Sequence, residues 1–91
     1  MRLYEFLEHL LATTESAPVI SLSVGQNGEV NGLELEWYKG PRRIVSVLIG
    51  RDETVAWGCL LGDASFSGEF VVDEWKDARP AVAALKKWEA A

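Results

Sequence analysis

The sequence predicts an α+β domain of order α-β5-α: a five-stranded antiparallel meander sheet with N- and C-terminal helices packed on one face. Three observations predict it. Apolar residues near the N-terminus recur with the period of a helix, five successive runs from Val19 onward alternate with the period of a strand, and a second helical pattern closes the chain. The runs are separated by short clusters of Gly, Pro, Asn and Asp, so sequence neighbours are expected to pair as hairpins. With 91 residues, the chain has room for a single α+β domain over 1–91 and one layered core.

Leu3, Phe6, Leu7, Leu10 and Leu11 fall at helical spacing, with Arg2, Glu5, Glu8 and His9 on the other face. Thr13, Thr14, Ser16 and Pro18 interrupt that pattern, so the first helix should stop near Ala12. Ile20, Leu22 and Val24 then alternate with Ser21 and Ser23 up to Gly25-Gln26-Asn27-Gly28, where Asn27-Gly28 is expected to supply the positive φ angles of a tight hairpin. In the second strand Leu33, Leu35 and Trp37 alternate with Glu34, Glu36 and Tyr38. Lys39-Gly40-Pro41 turns the chain into a β-branched third strand from Arg43 to Ile49. After Gly50-Arg51-Asp52-Glu53, a fourth strand is expected from Thr54 to Leu61. Gly62 to Ser65 reads as a loop, and Phe66 to Val72 as a shorter fifth strand that Gly68 weakens or bulges. Asp73, Glu74 and Asp77 precede Pro80, and Val82, Leu85 and Trp88 follow at spacings of three, with Lys86 and Lys87 late. Acids first and lysines last suit a helix dipole, and Pro80 suits a first turn, so the second helix should run from about Asp77 to Glu89.

Parity assigns the faces. Ile20, Leu22, Val24, Leu33, Leu35, Trp37, Val45, Val47, Ile49, Val55, Trp57, Cys59, Leu61, Phe70 and Val72 share the side that the helices should cover. The opposite side carries Ser21, Ser23, Glu34 and Glu36 on the first two strands, but Ile44, Leu48, Ala56, Leu60 and Val71 on the later ones. A wet sheet face is normally polar, so this half is expected either to be covered by something or to meet a partner.

Fourteen acidic against nine basic residues give a net charge of -5, which disfavours direct binding to nucleic acid through phosphates or to an acidic membrane surface. Arg42 and Arg43 neutralise too few phosphates to change that. The single Cys59 allows no intrachain disulfide, no apolar run is long enough to span a membrane, and Glu5, Glu8 and His9 break any signal-peptide pattern. A cytoplasmic, soluble protein is expected. One histidine and one cysteine make no metal-ligand spacing, and the eight glycines form no phosphate-binding loop. No metal, no cofactor and no catalytic residue is therefore predicted: His9 reads as a solvated helix residue, and Cys59 as a small core hydrophobe. Glu34 and Glu36 lie about 7 Å apart along one strand, which alternation alone explains.

Partner-binding candidates remain. They are the apolar outer residues Ile44, Leu48, Leu60 and Val71, the outward Tyr38, the acids Glu34, Glu36 and Glu69 on the same face, and Trp75 in the acidic connection DEWKD. Aromatic side chains at a surface are frequent binding anchors. An array of carboxylates can also occupy a cationic groove that normally holds phosphates, although a solvated strand face explains the same three acids.

The stretch from Gly32 through Leu33, Glu34, Leu35 and Glu36 to Trp37, followed by a hairpin, a further strand, FSGEF and a terminal amphipathic helix, resembles a group of small, largely uncharacterised bacterial and phage proteins. They share a Gly-x-x-Leu-Glu-Trp strand. The resemblance implies an association with mobile-element, toxin-antitoxin or defence neighbourhoods and no known reaction; the apolar outer face departs from the more polar one of many members. In general character the chain is also similar to anti-CRISPR-type inhibitors. The expected function is non-enzymatic: stoichiometric binding to another protein, a host defence component or a toxin, as an anti-defence inhibitor or an antitoxin-like factor. The alternatives are a structural homo-oligomer, such as a homodimer joined through the apolar outer face, and more remotely a small enzyme.

Overall fold

Every strand pairs with its sequence neighbour in the computed structural model, which describes residues 3–73 and 75–91 and, of Trp75, the backbone. The element order is α1 (Leu3–Thr13), β1 (Val19–Val24), β2 (Val30–Gly40), β3 (Arg43–Gly50), β4 (Thr54–Leu61), β5 (Ala64–Val71) and α2 (Trp75–Ala90). The strands form one antiparallel sheet of spatial order β1-β2-β3-β4-β5. This is the predicted α+β, α-β5-α meander.

The turns explain where the strand boundaries differ from expectation. At Gly25–Gly28 the Gly28 N–H donates to the Gly25 carbonyl at 3.0 Å, and Gly28 alone takes a positive φ, 78°. The hairpin is therefore a type I turn closed by one left-handed residue, not an Asn-Gly turn with two. Gly50–Glu53 repeats the arrangement, with Glu53 N–H on the Gly50 carbonyl at 3.1 Å and Glu53 itself at φ 65°. Between β4 and β5, Gly62 at φ 61° opens a two-residue loop with Asp63, the signature of a II′ turn. Such a loop costs no extra residues. The fifth strand consequently begins at Ala64 instead of Phe66, ends at Val71, and passes Gly68 in register opposite Trp57 without a bulge.

The inner face carries the core. Leu35, Trp37, Val45, Val47, Ile49, Val55, Trp57, Cys59, Phe70 and Val72 are buried there under Phe6 and Leu10 of α1 and Leu85 and Trp88 of α2. The side of α2 turned to the sheet also presents Ala78, Ala81 and Ala84, small enough for close approach: the Cys59 Sγ lies 3.8 Å from the Ala84 carbonyl. Phe6 meets Phe70 edge to face at 5.5 Å. Two indole N–H groups are satisfied at the rim, that of Trp88 by the Arg43 carbonyl at 2.8 Å and that of Trp37 by the Ser16 carbonyl at 3.2 Å. Helix α2 begins at Trp75, earlier than expected, so Pro80 lies inside it beyond the first turn. There its ring forgoes one i→i−4 bond. Arg2 and Glu74, read respectively as part of a polar helix face and of an acidic helix start, lie outside the described residues.

One part of the expected core is not core. Ile20, Leu22 and Val24 are 55%, 61% and 57% exposed. The register places Ile20 opposite Leu35 and Leu22 opposite Leu33, so these two point to the inner side as predicted. Cover is what they lack. Helix α2 lies on β3, β4 and β5, and α1 packs beside α2, so that Leu3 at the start of α1 borders a groove with Leu22 but the inner side of β1 stays mostly exposed.

Candidate functional site

The outer face is best described as rows across the sheet, because directly paired residues of antiparallel strands project to the same side. One row runs Tyr38, Ile44, Leu60, Ser65; a second runs Val19, Glu36, Ser46, Gly58, Ser67; a third runs Ser21, Glu34, Leu48, Ala56, Glu69. Val71 stands opposite Thr54 in the row beyond. The apolar candidates are thus two clusters and not one patch. Ile44 and Leu60 form the first with Tyr38, Leu48 and Ala56 form the second, and the lane of Ser46, Gly58 and Ser67 separates them.

That lane is a shallow depression floored by Ser46 and Gly58 and bounded by Glu34, Leu48 and Ala56. A side chain added at Gly58 would enter open space. Leu48 is 39% exposed, Val71 51% and Tyr38 57%, whereas Ile44 and Leu60 are half-buried by their neighbours in the sheet. The side chain of Trp75 lies outside the described residues.

The acids of this face do not form one array. Glu34 and Glu36 stand on β2 and Glu69 on β5, with two strands between them. At one inter-strand spacing per step, Glu34 and Glu69 are separated by roughly 14 Å. Among the described residues none of the three is in an ion pair. Arg42 is paired with Asp63 across two neighbouring hairpin tips, and Arg51 with Glu29 at 3.7 Å across two tips at the other end. Lys39 is directed away from the face altogether, donating to the Trp88 and Glu89 carbonyls at 3.0 and 2.9 Å.

Titratable chemistry lies elsewhere and is mild. The Thr54 N–H donates to the Asp52 carboxylate at 3.1 Å and holds that acid below its usual pKa. Burial pushes the Cys59 thiol up, with Lys87 opposing, which is the state of an unreactive core thiol. His9 is exposed and borders a cleft between the helices with Arg79, Val82, Ala83 and Lys86. Among the described residues no three of the His, Cys, Asp and Glu side chains are placed to hold a metal ion, and no helix is long and apolar enough to cross a membrane.

Compared with known proteins, the chain matches no family model, no curated protein and no solved structure.

Two features of the sheet surface escape residue-by-residue reading. The Ser46-Gly58-Ser67 lane needs the register, which sets residues of three strands side by side. The open inner side of β1 needs the helix positions; its available signal was the absence of any charge or proline in Val19–Val24, an unusual composition for a sheet edge.

Proposed function

We propose that this chain acts without catalysis, by stoichiometric binding of another protein to the helix-free face of its sheet. The observation that carries the reading is the exposure of Leu48, Val71 and Tyr38 on that face, with Ile44 and Leu60 half-buried beside them. Two clusters of apolar side chains, flanked by Glu34 and Glu36 on β2 and by Glu69 on β5, combine the apolar and charged groups of an interface. The resemblance through Gly32, Leu35, Glu36 and Trp37 gives the partner class: a host defence component or a toxin, with the chain as anti-defence inhibitor or antitoxin-like factor in the cytoplasm.

The experiment is a capture from host lysate with tagged wild type and tagged Leu48→Asp, followed by reconstitution with the captured protein and measurement of stoichiometry. Leu48→Asp is expected to lose the partner while keeping the fold, at a somewhat lower melting temperature because it sets a carboxylate directly opposite Glu34. Retention of the partner by the variant would overturn the outer-face reading. A wild-type dimer in sedimentation that Leu48→Asp converts to monomer would assign the face to a second copy.

A further inference from the structure

We propose that β1 is an acceptor strand, whose open edge takes an extended segment of a partner polypeptide in which apolar residues alternate with lysine or arginine. The surface lies beside the outer-face clusters, with Glu34 and Glu36 bordering both, and the proposal shares with the proposed function those two acids and the premise of a polypeptide ligand.

β1 ends the sheet, and among the described residues β2 is the one element packed against it. Its far edge therefore presents backbone donors and acceptors to solvent, and a strand laid along it would satisfy them. Natural sheets guard such edges with lysine, proline or a covering element. Val19–Val24 reads VISLSV and carries neither residue.

The two sides of β1 specify different neighbours. On the inner side, exposed Ile20 and Leu22 continue into a groove that Leu22 shares with Leu3, Val30, Leu33 and Ile49. An added strand must be apolar there to extend the cover that the helices do not reach. On the outer side the serines leave the view open to acids: Ser21 is opposite Glu34, and Val19 opposite Glu36. Both glutamates are without an ion pair among the described residues. A residue on the added strand opposite Ser21 lies two inter-strand spacings, roughly 9 to 10 Å, from Glu34. The extended side chains of a lysine or arginine and a glutamate close that gap over a serine. A second copy of this chain meets the inner requirement but not the outer one. It would bring serines in place of cations, two more glutamates at equal distance, and a second charge of -5.

The test titrates isotope-labelled chain with a synthetic peptide of alternating valine and lysine, following backbone amides and their exchange with solvent. Shift changes and slowed exchange confined to residues 19–24 are expected. Combining Glu34→Gln with Glu36→Gln should weaken binding about three- to tenfold at low salt, the scale of two exposed ion pairs, and a valine-glutamate peptide should not bind. Leu48→Ala, which adds no charge beside its cross-strand partner Glu34, should bind the peptide as wild type does, even if the outer-face reading fails. Three results would overturn the proposal: no perturbation of β1, equal binding of the glutamate peptide, or a concentration-dependent dimer that Leu22→Lys abolishes. The last would give the edge to a second copy.

Discussion

At Gly68 a single hydrogen atom decides whether the core closes. The residue stands opposite Trp57, and a Cβ placed on it would lie 2.7 Å from the indole Nε1 and 2.9 Å from Cε2. The ring is 9% exposed, so it has little freedom to withdraw. Alanine in place of glycine normally favours a strand by restricting the unfolded chain; here the overlap should win. Gly68→Ala is expected to destabilise by about 1 to 3 kcal/mol in denaturant unfolding, the range for overpacked cores. In a Trp57→Leu background the same change should be neutral or stabilising, because the ring that forbids it is gone. A glycine inside a strand pattern reads equally as a weak point, a bulge or a close approach, and the cross-strand partner that chooses among them is absent from the local sequence.

Among the elements, α2 shows how a residue expected to make a turn ends up holding a helix. Lys39 follows the β2 alternation of Trp37 and Tyr38, and its ammonium group donates to the last carbonyls of α2 while lying 4.5 Å over the centroid of the Trp88 ring. A cation at a helix C-terminus complements the dipole, and its place over an indole adds a cation–π contact. Lys39→Met keeps the aliphatic stem and removes the charge, so a loss of about 1 to 2 kcal/mol is expected, shrinking as salt is raised. The existence and order of all seven elements were legible in the sequence, since each carries a clear period and a turn signal at its end. The boundaries of β5 and α2 were not, because Gly62-Asp63 can turn the chain in two residues and Pro80 sits deeper in its helix than proline usually does. The outer-face candidates fell on one side of the sheet as parity required. Their division into two clusters follows from cross-strand register, which no single strand encodes.

For the molecule as a whole, the decisive quantity is how far two helices extend across five strands. Alternation in β1 is as regular as in β2, and Leu22 and Leu35 point to the same inner side. Parity therefore gives them equal standing. The helices do not, since α2 lies over β3 to β5 and α1 packs beside it, leaving Leu22 61% exposed and Leu35 1% exposed. Stability should follow cover and not pattern. Leu35→Ala is expected to cost about 2 to 5 kcal/mol, the range for a buried leucine, whereas Leu22→Ala should cost under about 1 kcal/mol, as a mainly exposed side chain does. Backbone amides should divide in the same way: native-state hydrogen exchange is expected to be slowest in β3 and β4, which have a strand on each side and α2 across one face, and fastest among the strands in β1. Slow exchange in β1 of the isolated chain, together with a large loss in Leu22→Ala, would mean that something already covers this edge in solution. The same two measurements repeated with the valine-lysine peptide bound should raise the protection of β1 and the cost of Leu22→Ala together, because an added strand supplies the cover that the helices leave out.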